Sequence, residues 1–219
     1  MIVKGKKINF LGDSITEGVG ASDPSKCFVS LLKESCQLAE ARNYGKGGTR
    51  IARQSVLSDS PYDVDFTMRA PEMDDDADIV VVFGGTNDFN HGQAPLGTPD
   101  DREVYTFYGA LHTLCLTLIR KYLGKTIVFL TPLHRFNDYS QYGQWKPDGV
   151  EKHPLVDYVR AVREVCEYYS IPVLDLFAAG NMPGNVPEWY REYMPDGLHP
   201  NDKGYALIAE KVKAFLERL

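Results

Sequence analysis

Short apolar runs rich in β-branched residues alternate along this chain with longer stretches of helical periodicity, and this alternation constrains the fold most strongly. Residues 79–83, Ile-Val-Val-Val-Phe, contain no polar position, which indicates a strand covered on both faces, as in parallel sheets. Four further runs of strand length occupy residues 7–11, 38–44, 126–130 and 172–176. The chain is therefore predicted to contain five strands.

Apolar residues repeat at helical spacing between these runs. The spacing predicts helices over 26–36, 103–123, 155–169 and 201–219, with Asn201 as the N-cap of the last. Strands that alternate with helices imply right-handed crossovers and a parallel sheet between helical layers. We therefore expect a three-layer α/β/α sandwich, and its 219 residues fit one domain spanning 1–219.

Composition narrows the classes of partner. A net charge of -6 argues against nucleic acid and anionic membranes, which both require a basic patch. No run reaches the length of a membrane span, and the basic start lacks the features of a signal peptide, so we expect a cytoplasmic protein, with export of a processed form left open. The four cysteines show no C-x-x-C pairing and are expected to be buried free thiols. The acidic residues at 74–76 and 78 are interpreted as a solvated turn rather than a cation site.

In a parallel sheet, ligands bind outside the carboxyl ends of the strands, so the residues that follow each strand are the candidates for chemistry. Residues 12–16, directly after the first strand, read Gly-Asp-Ser-Ile-Thr. Ser14 would then lie near a helix N-terminus, where free backbone N–H groups stabilise negative charge. The competing interpretation is that Ser14 merely caps a tight turn.

The second and third strands are each followed by glycine-rich segments. Residues 43–49 read Asn-Tyr-Gly-Lys-Gly-Gly-Thr, which fits neither a dinucleotide fingerprint nor a P-loop. Residues 84–88 read Gly-Gly-Thr-Asn-Asp, and Asn87 either points its amide at a developing oxyanion or caps its own turn. Both segments are therefore ambiguous by themselves.

The last motif precedes the terminal helix. Residues 196–200 read Asp-Gly-Leu-His-Pro, and a carboxylate three residues before an imidazole can bind its Nδ1–H and leave Nε2 free to accept a proton. A solvated or capping histidine is the competing interpretation. Among the other histidines, His112 falls in a predicted helix. His91 and His134 follow strands, where a histidine either lines a pocket or lies at the surface, and the surface role is favoured for both.

Taken together, these motifs closely resemble the four sequence blocks of the SGNH, or GDSL-like, hydrolase family. The matching segments are residues 12–15, the pattern Asn-x-Gly-x-x-Gly over 43–48, the pattern Gly-x-Asn-Asp over 85–88, and Asp-x-x-His over 196–199. The resemblance spans nearly the whole chain. Ile15 replaces the leucine of the family name, and Gly84 adds a glycine before the third block.

The resemblance implies a flavodoxin-like fold and assigns roles to matched positions. Ser14 would be the nucleophile, His199 the base and Asp196 the carboxylate that orients the base. The oxyanion hole would consist of the backbone N–H groups of Ser14 and Gly48 and the side-chain amide of Asn87. The two other aspartates in the matched blocks, Asp13 and Asp88, are expected to hold loops in place. No cofactor or metal is implied.

The reaction expected from these roles is hydrolysis of a small-molecule carboxylic ester through an acyl-enzyme. We expect a short acyl group, such as acetyl, on a carbohydrate-like or other polar alcohol. The alternatives are a lysophospholipase or thioesterase acting on longer acyl chains, a metal-dependent phosphoesterase using Asp13, Asn87, Asp88 and His199, and a non-catalytic binding protein. The sequence does not indicate an oligomeric state.

Three segments are predicted to be loops that form the pocket: 89–102, 133–153 and 180–195. The latter two carry seven aromatic residues between them, for which packing of the loops is favoured over lining of the pocket. These residues are Phe136, Tyr139, Tyr142, Trp145, Trp189, Tyr190 and Tyr193.

Overall fold

A computed structural model describes residues 2–56, 61–139 and 146–219 of the chain. Its five-stranded sheet has the order β2-β1-β3-β4-β5, and every pair of neighbouring strands is parallel. This is the flavodoxin-like order. The strands are β1 (Lys7–Gly12), β2 (Glu40–Gly45), β3 (Ile79–Phe83), β4 (Thr126–Leu130) and β5 (Val173–Leu174). The predicted parallel α/β fold is confirmed.

Helices cover both faces of the sheet. The short helices are α1 (Ser14–Glu17), α3 (Phe66–Arg69), α4 (Thr86–Asn90), α7 (Leu176–Ala179) and α8 (Pro187–Tyr193). The longer ones are α2 (Phe28–Ser35), α5 (Phe107–Lys121), α6 (Leu155–Tyr168) and α9 (Asp202–Arg218). Helices α2 and α9 pack together on one face, and α5 and α6 on the other. The sheet is thus the middle of three layers.

Strand β3 shows why both faces are apolar. All five of its residues are buried. Val80 and Val82 belong to the cluster beneath α5 and α6, whereas Ile79, Val81 and Phe83 belong to the cluster beneath α2 and α9. Because successive side chains of a strand point to opposite faces, a strand between two helical layers needs an unbroken apolar run.

The register of the strands brings their carboxyl ends to one level. Gly12 at the end of β1 is aligned with Gly45 of β2 and with Phe83 of β3. The segments that follow these three positions therefore leave the sheet side by side. They are the three glycine-containing motifs of the first half of the chain.

Two strands differ by more than one residue from their predicted bounds. The run at 38–44 begins two residues too early, because Leu38 N–H donates to the carbonyl of Lys33 and so belongs to the turn that ends α2. The run at 172–176 shortens to Val173–Leu174, since the Asp175 side chain caps α7 by accepting from Ala178 N–H. In both places a local capping interaction competes with the apolar run for the backbone.

The cysteines, the acidic turn before β3 and the helix lengths can be compared with the predictions from composition. Cys27, Cys36, Cys115 and Cys166 are buried and free, as predicted. In the turn before β3, the carboxylates of Asp74 and Asp76 form ion pairs with Arg42, and Asp76 also pairs with Lys7. None of the described helices is both long enough and apolar enough to cross a membrane.

Candidate active site

Ser14 is the first residue of α1, directly beyond the end of β1. The Asp13 carboxylate caps this helix by accepting from Ile15 N–H at 3.0 Å. Helix α1 lies so close to the strand that a Cβ on Gly12 would be 1.9 Å from Thr16 Oγ1 and 2.9 Å from the Phe83 carbonyl oxygen. Only glycine permits this approach, which fixes where Ser14 leaves the sheet.

His199 and Asp196 complete a hydrogen-bonded chain with Ser14. His199 Nε2 lies 2.9 Å from Ser14 Oγ, and His199 Nδ1 lies 2.6 Å from Asp196 Oδ2. Asp196 Oδ1 accepts from the backbone N–H groups of Leu198 and His199, at 2.8 and 2.6 Å. Burial by itself would raise the pKa of Asp196, but these hydrogen bonds and the nearby imidazole lower that pKa to about 2. An ionised carboxylate therefore faces Nδ1 and leaves Nε2 to accept the Ser14 proton.

Contacts between the first and last helical regions hold these residues together. Tyr205 in α9 donates its hydroxyl to the Val19 carbonyl at 2.7 Å. The Asp202 carboxylate accepts from the backbone N–H and the hydroxyl of Ser22, at 2.8 and 2.6 Å. The N-terminus of α9 is thereby fixed to the loop after α1, and His199 precedes that N-terminus by three residues.

The glycine-rich loop after β2 lies beside Ser14. Glu17 accepts from Gly47 N–H at 2.6 Å, and a Cβ on Gly47 would be 3.7 Å from Ser14 Cβ. Gly48 has φ +73°, in the left-handed region, and a Cβ there would be 2.4 Å from the Tyr62 ring. Across the described residues, no protein group accepts from the backbone N–H of Ser14 or of Gly48. These two backbone N–H groups thus have no protein acceptor in the described part of the chain.

Asn87 and Asp88 follow β3 in helix α4 and bind the same loop. Asn87 Nδ2 donates to the Thr49 carbonyl at 2.9 Å, which leaves its second amide N–H for another acceptor. Asp88 accepts from the backbone N–H groups of Ile51 and Ala52, at 3.0 and 2.8 Å. Asp88 therefore holds a loop, as its predicted role required.

Arg69 ties the ends of β1 and β2 to the glycine-rich loop that follows β2. Its guanidinium donates to the carbonyls of Tyr44 and Gly12, at 2.7 and 2.9 Å, and to the Thr49 hydroxyl at 2.8 Å. Burial lowers the pKa of Arg69 to about 10, partly offset by the charge of Asp13. Nothing in the local sequence pattern marks this partly buried arginine.

A cavity of about 550 Å³ opens onto these groups. Its volume lies within the range of small-molecule sites. The lining combines the matched motif positions with residues from other segments. Its described members are Ser14, Val19, Gly47, Gly48, Tyr62, Asn87, Asn90, His91, Leu198 and His199.

His91 and His134 differ from the surface roles expected for them. His91 lines the cavity, and its Nδ1 lies 2.8 Å from Arg50 Nη1, so the surface prediction for His91 is wrong. It sits four residues after Asn87, which places both near one face of α4, and that spacing was the available signal. His134 is partly buried, stacks on Phe177 and lies 2.5 Å from Asp138.

The aromatic residues of the predicted pocket loops do not line the cavity where they are described. Trp189, Tyr190 and Tyr193 pack against the core beneath α2 and α9, and Phe136 packs on Tyr190. Tyr142 and Trp145 lie outside the described residues. Packing, the favoured interpretation, therefore holds for these four. Among the described residues, the lining instead includes the ring of Tyr62, which lies outside the predicted pocket loops.

Comparisons with known proteins agree with the site. Residues 10–207 match the sequence profile of the GDSL-like Lipase/Acylhydrolase family, whereas no curated protein sequence matches. A protein from Lactobacillus plantarum of known crystal structure shares 30% identity, with TM-score 0.83 over 99% of this chain and 98% of its own. A putative GDSL-like lipase from Bacteroides ovatus shares 20% identity, with TM-score 0.65 over 98% and 99%.

A third structural neighbour is a two-domain esterase active on acetylated mannans, co-crystallised with mannopentaose. It shares 21% identity with TM-score 0.62, and the match covers 99% of this chain and 50% of that one. The family match extends over most of the chain and includes all four motifs that meet at the cavity. The chain therefore belongs to the GDSL-like lipase/acylhydrolase family and is a carboxylic ester hydrolase.

Proposed function

We propose that the protein is a serine esterase whose nucleophile is Ser14. The observation that carries this proposal is the continuous hydrogen-bonded chain from Asp196 through His199 to Ser14 Oγ, with distances of 2.6 and 2.9 Å, at the edge of a cavity. A hydroxyl is a weak nucleophile unless a base removes its proton during attack. His199 Nε2 is at the right distance to do so.

In the first half of the reaction, Ser14 Oγ attacks the ester carbonyl while its proton passes to His199 Nε2. The tetrahedral intermediate collapses when that proton is transferred to the leaving alcohol oxygen, and the C–O bond to the alcohol breaks. A water molecule then attacks the acyl-enzyme, giving its proton to His199, and Ser14 regains a proton as the carboxylic acid leaves. Asp196 stays ionised throughout and stabilises the imidazolium.

The oxyanion of both tetrahedral intermediates would accept hydrogen bonds from Ser14 N–H, Gly48 N–H and the free amide N–H of Asn87. Support comes from the two backbone donors without a protein acceptor among the described residues and from the position of Asn87 in the cavity wall. Fixed donors stabilise developing charge without reorganising during the reaction, which makes them a large contribution to catalysis.

The substrate we propose is a short acyl ester, such as an acetyl ester, of a carbohydrate-like or other polar alcohol. Among the described lining residues, the hydrophobic side chains are those of Val19, Tyr62 and Leu198. Asn90 and His91 add polar groups that the reaction steps do not use. The acetyl-mannan esterase supports only the fold at its low identity, so the substrate proposal rests on the unused polar groups of Asn90 and His91.

The test compares initial rates on acetyl, butyryl and octanoyl esters of one alcohol for the wild-type protein and Ser14→Ala. We expect the highest kcat/KM on the acetyl ester and the loss of nearly all turnover in folded Ser14→Ala. A strong preference for octanoyl would instead favour a lysophospholipase or thioesterase. Loss of activity with a chelator would favour the metal-dependent alternative, and normal turnover by Ser14→Ala would contradict the proposal.

A further inference from the structure

His91 occupies a fixed place in the cavity wall that the catalytic steps leave unused. It follows directly after α4, and its backbone N–H donates to the carbonyl of Asn87 at 2.9 Å. Its side chain lines the same cavity as Ser14 and Asn87. The imidazole therefore has a defined position relative to the atoms that would hold the oxyanion.

Arg50 determines which imidazole nitrogen carries the proton. Arg50 Nη1 lies 2.8 Å from His91 Nδ1, and a guanidinium can only donate, so Nδ1 accepts. Arg50 is itself held by the Tyr62 carbonyl and by an ion pair with Asp63. In a neutral imidazole whose Nδ1 accepts, the proton is on Nε2.

The surroundings of His91 keep its imidazole neutral. Burial lowers its pKa most strongly, followed by the positive charges of Arg50, Lys146 and Arg135, while Asp63 opposes them. The resulting pKa is about 4. At neutral pH, His91 is therefore an N–H donor without a charge.

The Nε2–H group has no hydrogen-bond acceptor within the described parts of the protein. Because Arg50 covers Nδ1, the Nε2–H group is the polar part of the ring left for a ligand in the cavity. Two other lining residues suit the same ligand. Asn90, one position earlier, adds a side-chain amide, and Tyr62, whose carbonyl binds Arg50, adds an aromatic face.

We infer that His91 is a specificity residue whose Nε2–H donates a hydrogen bond to an oxygen of the alcohol part of the ester, and that this alcohol is a sugar or polyol. This inference rests on the proposed esterase function. An aromatic face beside neutral hydrogen-bonding groups matches a hydroxyl-rich ring, which presents C–H groups on its faces and oxygens around its edge. An ester of a simple phenol offers no such oxygen and would gain nothing from His91.

The experiment measures kcat and KM on a mono-O-acetylated methyl hexopyranoside and on phenyl acetate. The variants are His91→Phe, which keeps a planar ring without nitrogens, and His91→Gln, which retains an acceptor for Arg50 and a donor for the cavity. His112→Phe is the matched control, because His112 is also buried but contacts Tyr169 and Pro99 away from the cavity.

His91→Phe is expected to lower the preference for the sugar ester over phenyl acetate by about 10-fold, the effect of one lost hydrogen bond, mainly through KM. His91→Gln should recover part of this preference, and His112→Phe should leave it unchanged. The inference would be overturned if both His91 variants lost activity equally on the two esters, or if His91→Phe kept the wild-type preference. It would also be overturned if the wild-type protein hydrolysed only phenyl acetate. Failure of the proposed function looks different, because the wild-type protein would then hydrolyse neither ester.

Discussion

His199 Nε2 lies 2.9 Å from Ser14 Oγ, although 185 positions separate the two residues in the chain. The hydroxyl of Tyr205 and the carboxylate of Asp202 bridge α9 to the loop that follows α1. Because these bridges lie within a few residues of Ser14 and His199, the pair depends on how α9 docks on the sheet.

Asp196→Asn should lower kcat by about 10,000-fold with little effect on folding. The asparagine would offer an N–H where Asp196 Oδ2 now accepts, so His199 Nδ1 would have to accept and Nε2 would carry the proton. The Ser14 proton would then have no acceptor. Steady-state rates on phenyl acetate, with a thermal unfolding curve as the folding control, check this. A loss below about 10-fold would exclude Asp196 from its proposed role.

Asn87→Ala should lower kcat by about 100- to 1000-fold, the usual effect of one lost oxyanion donor, with a smaller change in KM. The variant also loses the hydrogen bond to the Thr49 carbonyl. Thr49→Ala is the control for disturbance of the loop, because it keeps that carbonyl but removes the hydroxyl that accepts from Arg69 and donates to the Lys46 carbonyl. If Asn87→Ala loses no more than Thr49→Ala, Asn87 acts only on the loop.

Gly48→Ala should reduce kcat by about 100-fold through displacement of the loop. The added methyl would meet the Tyr62 ring at 2.4 Å, and the φ of +73° is unfavourable for alanine. Tyr62→Ala in the same chain removes the clash but not the backbone strain, so the double variant should regain part of the lost activity. Kinetics of both single variants and the double variant check this, and near-normal activity of Gly48→Ala would contradict the described loop.

Asp13→Asn should make the protein more stable above about pH 6. Burial raises the pKa of Asp13 to about 6, against the hydrogen bond from Ile15 N–H and the charge of His199. Between about pH 4 and 6 the native state holds a proton that the unfolded state has released, so stability falls as pH rises through this window. The loss reaches on the order of 3 kcal/mol.

The asparagine keeps the oxygen that accepts from Ile15 N–H but cannot ionise. Urea unfolding at pH 4 and pH 7 should therefore show similar stabilities for Asp13→Asn and the wild-type protein at pH 4, and a more stable variant at pH 7. The same difference at both pH values would show that Asp13 does not titrate as described.

The structural elements that depend on short-range sequence patterns were predicted accurately. The bounds of β3 and β4 agree with the predicted 79–83 and 126–130, since unbroken apolar runs permit little else between two helical layers. The predicted bounds of β5 were less accurate, because Asp175 caps a helix that the periodicity of the sequence does not predict. A helix of four residues, such as α7, is too short to produce a periodic signal.

Within the candidate site, the motif residues could be identified from the sequence, but the other residues of the cavity wall could not. Ser14 and Asn87 follow strands at one edge of the sheet, so topology predicts that they meet. Tyr62 lines the cavity because its ring lies against Gly48, fourteen positions earlier in the chain. Arg50, likewise, contacts His91 across 41 positions, and no local pattern encodes that distance.

Labelling with a fluorophosphonate probe is the direct test of Ser14 as the activated nucleophile. The probe forms a covalent bond to a serine oxygen only when that oxygen is activated, and peptide mass spectrometry identifies the modified residue. We expect one phosphonate on Ser14 of the wild-type protein, none on Ser14→Ala, and much slower labelling of His199→Ala, with all three proteins folded. Labelling of Ser14→Ala at the wild-type rate, or a folded wild-type protein that the probe leaves unmodified, would contradict this role of Ser14.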